Sequence, residues 1–330
     1  MTEIRKAFFK AAKPRQKDRD ILEVILQERP ELRGQNPRCA SEGNYGYAFI
    51  FNHEVVKAPK NLDCYGDDEI VGAFQKEIKI QQLLAGQNLP VPHVTCTGQK
   101  AFFFGMQKIN GLSLKDALSG VYVKLSARQR KNIIHGIAAF KAALEKADLG
   151  ALLPPEDGFA LSPEELLLAR EGLSAPVVQK ILAAQAPDFS LALQKFLDDY
   201  PSRQPGIIHG DLHGGNILFD PKTGKISAFL DFGRVKRTII PDAEFLHLQE
   251  CYDPAFALAV QSAYQKITGK DVQAGSYLCL KALDMLAART GIARREKAED
   301  AENILKAAAE GLVSKYHYGA YRTALMKPSL

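Results

Sequence analysis

The sequence predicts an α+β protein with a small, strand-rich front part and a larger, mainly helical remainder. Three observations carry that reading. Between residues 38 and 106, β-branched and aromatic runs alternate with turn residues, as in Ala48-Phe49-Ile50-Phe51, Val55-Val56-Lys57 and Phe102-Phe103-Phe104-Gly105-Met106. Beyond residue 126, apolar residues recur at helical spacing, as in Ile133, Ile137, Phe140 and Leu144. Within that helical part, two strand-like runs each deliver a carboxylate: Ile207-Ile208-His209-Gly210-Asp211, and Ile226-Ser227-Ala228-Phe229-Leu230-Asp231.

The chain has 330 residues, 46% of them apolar and 25% charged, enough for one large or two smaller domains around a sizeable core. No apolar run approaches the ~20 residues of a membrane helix. Phe8-Phe9 is followed at once by Lys10, which is unlike a signal-peptide core. A cytoplasmic protein with no membrane span is therefore expected. The five cysteines form no Cys-x-x-Cys pair and are odd in number, which suits reduced thiols better than disulfides or zinc. The net charge is +5. Residues 1–40 hold ten Lys/Arg and six Asp/Glu, 10 − 6 = +4, so most of the excess lies there. The signs of these charges alternate and no aromatic stacking pattern accompanies them. A helical extension packed on the main body is expected, rather than an arm for nucleic acid.

Taken in order, residues 17–29 place Leu22, Ile25, Leu26 and Arg29 at helical spacing and end before Pro30. Gly34-Gln35-Asn36-Pro37 reads as a turn. Glu42-Gly43-Asn44-Tyr45-Gly46-Tyr47 puts two glycines between strands, which suits a loop whose backbone amides approach phosphates. Residues 69–85 are helical, with Ile70, Phe74, Ile78 and Leu83-Leu84 on the apolar side. Leu89-Pro90-Val91-Pro92 leads into another strand. Gln107-Lys108-Ile109-Asn110-Gly111 follows the last strand as a connector. Ser126-Ala127-Arg128-Gln129 is a capping box, and Ser162-Pro163-Glu164-Glu165 is a second helix start. One helix is expected over about 175–200, and others over 255–267, 276–290 and 293–316, with Gly291 as a C-terminal cap.

The chemistry concentrates at residues 207–233. Asp211 and Asn216 are five apart on a loop in which Gly214 and Gly215 permit a tight turn. Asp231 arrives after Pro221-Lys222-Thr223-Gly224-Lys225, a turn between strands. A base, an amide ligand and a second acid on neighbouring loops can orient a hydroxyl and hold Mg²⁺ against a nucleoside triphosphate.

The stretch His209-Gly210-Asp211-Leu212-His213-Gly214-Gly215-Asn216 followed by Leu230-Asp231-Phe232-Gly233-Arg234 resembles the protein-kinase-like phosphotransferases, especially the aminoglycoside phosphotransferase and choline kinase branch. Lys76-Glu77, Leu84-Ala85-Gly86 and Leu89-Pro90-Val91-Pro92 are similar to the same branch. The resemblance implies a bilobal fold: an extension over 1–40, an antiparallel-sheet nucleotide lobe over 41–106 and a helical lobe over 107–330. It implies transfer of the γ-phosphoryl group of ATP to an alcohol, with Asp211 as the catalytic base and Asn216 and Asp231 holding Mg²⁺. Lys57 would grip the phosphates, steadied by Glu77, with Gly43 and Asn44 in the phosphate loop. The main chains of Gln107 and Ile109 would meet adenine. Lys60 and Glu69 are the competing members of the ion pair. Only eleven positions separate Asp231 from Asp242 and no Ala-Pro-Glu follows, which favours a small-molecule acceptor. The acids Asp242, Glu244, Glu250 and Asp253 are either a draw for a cationic substrate or a solvated helix face. A protein acceptor, as in a reduced protein kinase, and a non-catalytic nucleotide-binding scaffold stay open.

Overall fold

The computed structural model describes residues 16–40, 46–60, 68–98, 102–116, 125–153, 161–245, 248, 254–270, 272 and 276–317. In chain order the strands are β1 (Arg38–Ala40), β2 (Gly46–Ile50), β3 (Glu54–Pro59), β4 (Val94–Thr97), β5 (Phe104–Gln107), β6 (Leu112–Ser113), β7 (Gly206–Ile208), β8 (Ile217–Phe219), β9 (Ile226–Phe229) and β10 (Lys236–Thr238). The longer helices are α1 (Gln16–Glu28), α2 (Asp68–Gly86), α3 (Ala127–Lys146), α4 (Pro163–Ser174), α5 (Pro176–Gln185), α6 (Pro187–Asp199), α7 (Pro254–Thr268), α8 (Ser276–Ala293) and α9 (Ala298–His317). They belong to two compact units, Met1–Leu152 with Asp211–Val235, and Leu153–Gly210 with Lys236–Leu330.

The first unit is built on an antiparallel sheet ordered β1-β2-β3-β5-β4. Side chains alternate across a strand, and β3 uses both faces. Val56 and Ala58 join the cluster under α1, with Tyr47, Phe49 and Phe51. Val55 packs on the other cluster, where Phe74 and Ile78 of α2 meet Phe104 and Met106. Lys57, two residues on from Val55, therefore shares the face that looks to α2. The helix α1 docks through Ile21 and Ile25, each burial stabilising by about 1.5–3 kcal/mol. Its buried stripe is thus shifted by one residue from the expected Leu22–Leu26 face: Ile25 is buried as expected, Ile21 joins it, and those two leucines are only partly buried. Just past α1, the Arg29 guanidinium bonds Glu54 at 3.0 Å, Cys96 and Glu31, pinning the start of β3.

A second sheet in this unit, β6-β8-β9, lies against α3. Phe140 stacks on Phe229 with ring centroids 3.7 Å apart. Ser126 and Gln129 form the expected capping box. The Gln129 side-chain amide also donates to the carbonyls of Pro221 and Lys222, and Asn132 donates to that of Thr223, so the helix start grips the β8–β9 turn. Gly224 closes that turn at φ +72°, and a Cβ there would fall within 3 Å of the Gln129 backbone. Both the conformation and the space demand glycine.

The second unit is a helical assembly with the antiparallel pair β7–β10 at its edge. Its core gathers Leu168 and Leu173 of α4, Leu182 of α5, Phe189 and Leu193 of α6, Leu283 and Leu286 of α8, and Leu312 of α9. Ser162 and Glu165 form a reciprocal cap on α4. Two expectations need correction. The single helix over 175–200 is two, α5 and α6, because Pro187 lacks the N–H that would continue the ladder and instead opens a new helix. The helix expected to end at Gly291 runs on to Ala293, and the Arg294 N–H closes it onto the Thr290 carbonyl. Among the described residues no helix is long and apolar enough to cross a membrane.

Candidate active site

The lysine on β3 is held by two acids. Lys57 Nζ lies 2.6 Å from Glu77 Oε1 and 3.2 Å from Asp231 Oδ1. The β3 alternation aims it at α2, and the helical repeat places Glu77 three residues beyond buried Phe74 on the same side. Lys60, the competitor, sits instead over the Tyr47 ring at 5.9 Å. The Lys57 and Glu77 side chains are 17% and 5% exposed, and Asp231 is 49% exposed. Burial pulls the Lys57 ammonium down, but the Glu77 and Asp231 carboxylates outweigh it and hold its pKa above the ordinary lysine value. Burial pushes the Glu77 carboxyl up. Lys57 and the Phe232 N–H, which bonds the Glu77 carboxylate, oppose that shift, and the nearby Asp231 charge adds to it.

Asp231 stands at φ +65°, one of two described non-glycine residues in the left-handed region. Such a conformation costs of order 1–3 kcal/mol and persists where the surroundings impose it. Here the strand β9 stops at Phe229, the Leu230 N–H bonds the Asn216 carbonyl at 2.9 Å, and a 3₁₀ turn Phe232–Arg234 begins at once. The register Ile217↔Phe229 makes Asn216 and Leu230 the next pair beyond the ladder, so the hairpin brings Asn216 beside the Asp231 segment.

Hydrogen bonds fix the backbone before and after the Gly210–Asp211 junction. In the second unit, the Glu244 carboxylate accepts the N–H groups of His209 at 2.6 Å and Gly210 at 3.2 Å, immediately before Asp211 in the chain. Gly210 has φ +77°. In the first unit, the Asp211 carbonyl accepts the His213 N–H at 2.8 Å and the Asn216 side-chain amide at 2.9 Å. Arg234 Nη1 stands 3.8 Å from Asp211 Oδ1, and His213 Nε2 stands 3.9 Å from Oδ2. The Arg234 bridge joins the two acid-bearing loops, since Arg234 ends the turn that Asp231 starts.

The connector after β5 is anchored to its neighbours. The Gln107 N–H donates to the His93 carbonyl at 2.8 Å and the Lys108 N–H to the His53 carbonyl at 3.0 Å. Lys108 Nζ also donates to the Phe51 carbonyl at 3.1 Å. Register places Gln107 opposite Glu54, three residues before Lys57 and hence about 10 Å along β3 from it. Gly43 and Asn44 lie outside the described residues, as do Glu250, Asp253 and the Glu69 side chain. Next to them, Gly46 lies so close to the Ala58 carbonyl and the Phe74 ring that a Cβ would sit 2.9 Å from each.

One sequence expectation fails outright. Glu244 is 2% exposed and occupied by two backbone amides, so it is neither a solvated helix face nor a lure for a cationic substrate. Its role depends on a contact 35 residues away, which its local sequence does not announce. Arg234 lies within the motif, and its contact with Asp211 emerges only in the folded chain. A shallow cavity of about 440 Å³ in the second unit, lined by Glu171, Thr290 and Arg294 among others, includes none of these residues.

Magnesium fits the donor set. The Asn216 side-chain amide nitrogen is committed to the Asp211 carbonyl, which fixes the amide with its oxygen as the remaining ligand atom. Asp231 adds a half-exposed carboxylate. Two hard oxygen donors suit an ion that keeps most of its shell as water and phosphate.

Comparison with known proteins gives this geometry a setting. The family model described as "Phosphotransferase enzyme family" matches residues 71–271, more than half of the chain. Among solved structures, the GDP complex of aminoglycoside 2'-phosphotransferase-IIIa is similar at 18% identity and a TM-score of 0.58, covering 91% of this chain and 99% of that one. ADP-bound aminoglycoside phosphotransferase APH(2'')-Ib follows at 18% identity and 0.54, with coverage of 90% and 98%. The streptomycin–ATP ternary complex of APH(2")-IIa gives 17% and 0.54, with coverage of 89% and 95%. At these identities the likeness is one of fold, and it is the kinase-like fold expected from the sequence. No curated protein matches the chain.

Proposed function

The chain belongs to the phosphotransferase enzyme family, and from that premise we propose that it transfers the γ-phosphoryl group of ATP to a hydroxyl of a small molecule. The observation that carries the reading is the convergence of Lys57, Glu77 and Asp231, residues 20 and 174 positions from the lysine, on one network. Structural neighbours that hold GDP, ADP and ATP support a nucleotide as the donor.

In this reading Lys57 grips the nucleotide phosphates. Glu77, locked by the Phe232 N–H, keeps the ammonium aimed and charged. Asp211 accepts or orients the acceptor hydroxyl, on a backbone set by Glu244 and Asn216. Asn216 and Asp231 would hold Mg²⁺, which when bound neutralises charge on the phosphates. The transition state of phosphoryl transfer is loose, so position and charge matter more than covalent chemistry. The Gln107 N–H bonds the His93 carbonyl, and in this reading the Gln107 carbonyl and the Ile109 N–H would meet adenine. The eleven residues after Asp231 are taken up by a 3₁₀ turn, β10 and the Pro241–Asp242 turn. That leaves little chain for a peptide-holding segment, which favours a small acceptor.

The test is ADP or GDP release from ATP or GTP with a panel of amino sugars, choline-like alcohols, sugars and nucleosides, set beside labelling of protein mixtures. Asp211→Asn is expected to keep nucleotide affinity and lose turnover. Transfer surviving that change would remove Asp211 from its role, and a labelled protein band without small-molecule turnover would replace the acceptor class.

A further inference from the structure

We propose that His213 is a positioning residue for Asp211, holding one carboxylate oxygen through its Nε2–H so that the other meets the acceptor hydroxyl. This rests on the phosphotransfer reading above. His213 follows Asp211 by two residues, and its N–H bonds the Asp211 carbonyl at 2.8 Å, a tight turn that folds the imidazole back over its own loop. Nδ1 accepts the Gly215 N–H at 2.9 Å. With that nitrogen acting as acceptor, the proton of the neutral ring resides on Nε2. The hydrogen-bonded neighbour thus selects the tautomer and aims a donor.

That donor faces Asp211. Nε2 lies 3.9 Å from Oδ2, while Arg234 Nη1 lies 3.8 Å from Oδ1, so the two carboxylate oxygens look onto different groups. A separation of 3.9 Å is beyond a direct hydrogen bond but within reach of one bridging water. Catalytic hydrogen bonds commonly tighten when substrates bind. The Arg234 side chain is 58% exposed and long, a poor device for fixing an angle. The imidazole is short, has two torsions and is seated by the loop itself: a Cβ on residue 215 would stand 2.7 Å from His213 Cε1, so Gly215 is what lets the ring lie there.

The two ring nitrogens can be separated by substitution. His213→Asn can offer an oxygen in the place of Nδ1 and keep the Gly215 contact, but removes the donor to Asp211. His213→Gln reaches toward the Nε2 position with an amide N–H and gives up the Gly215 contact. The expected result is that His213→Asn lowers kcat about tenfold to a hundredfold, the scale of a misaligned reacting group. Melting temperature and nucleotide affinity stay near wild type. His213→Gln recovers part of kcat while melting lower. Wild-type kcat in His213→Asn overturns the proposal. So does a parallel loss of kcat, melting temperature and nucleotide affinity in both variants, which would make the ring a loop cap only. Long-range ¹H–¹⁵N spectra give a readout independent of any acceptor. The Nε2-protonated tautomer is expected, with a signal that moves in Asp211→Asn; the other tautomer, or a signal blind to that change, also overturns it. If the wild type transfers phosphate to nothing in the panel, the phosphotransfer reading itself falls. If it does transfer and His213→Asn is unaffected, only the His213 assignment falls.

Discussion

Among the described residues of the first unit, two lysine–glutamate pairs are largely withdrawn from solvent, and they are used differently. Lys57–Glu77 spans 2.6 Å between a strand and a helix 20 residues apart. Lys141–Glu145 spans 2.7 Å within one turn of α3, its lysine 1% exposed. The local pair is an i,i+4 contact that a helix supplies by geometry alone. The long-range pair needs β3 and α2 docked, and it takes on a third member, Asp231, half-exposed and set on a left-handed backbone. A sealed ion pair can only hold structure together. One with an open, strained acid at its edge retains something to offer a ligand.

Substitution should separate the two in kind. Lys57→Met is expected to cut kcat/KM by about 10²–10³, the scale of losing one preorganised charge at a transferring group. Kinetics with saturating nucleotide would read it, and a near-normal rate would show the pair to be scaffold like its counterpart. Lys141→Met removes the 2.7 Å counter-charge of the Glu145 carboxylate and should cost up to about 3–5 kcal/mol of stability in urea unfolding, with kcat of the folded fraction retained. Replacing both with Met and Leu should recover much of that loss. A drop in kcat without destabilisation would mean that α3 takes part in the chemistry.

How far the sequence revealed this contrast depended on distance along the chain. The capping boxes at Ser126 and Ser162 were legible because both partners lie within four residues. The Asp211–Asn216 loop and the β8–β9 turn were legible because glycines and polar turn residues announce a backbone conformation locally. The division of 175–200 into two helices was also written there, in Pro187, but the apolar periodicity on either side masked it. Glu244 was not legible, since an acid in a mixed helical stretch looks the same whether it faces water or the amides of His209 and Gly210. Contacts of that kind come from tertiary packing, and residue spacing carries no trace of them.

The smallest expected effect is at the second unit's helix cap. Ser162→Ala should cost about 1 kcal/mol. Glu165 sits below its ordinary carboxyl value of 4.5 because it accepts the Ser162 backbone N–H and bonds the Ser162 side chain. A depressed folded-state pKa means that the contribution is present above about pH 4.5 and fades as pH falls through the folded value. The melting difference between wild type and Glu165→Ala should therefore shrink on acidification from pH 6 to about pH 3, and a difference that stays constant would assign the effect to packing.

The Arg29 clamp bears on how this protein can be shortened. Glu54, which begins the lysine-bearing strand, draws its counter-charge from a residue at the foot of the first described helix. A version trimmed to begin at the sheet would strip Tyr47, Phe49 and Val56 of their cover and leave that carboxylate without its guanidinium. The front helix is consequently part of the minimal working body, and any shortened form meant for ligand soaking should start ahead of Gln16.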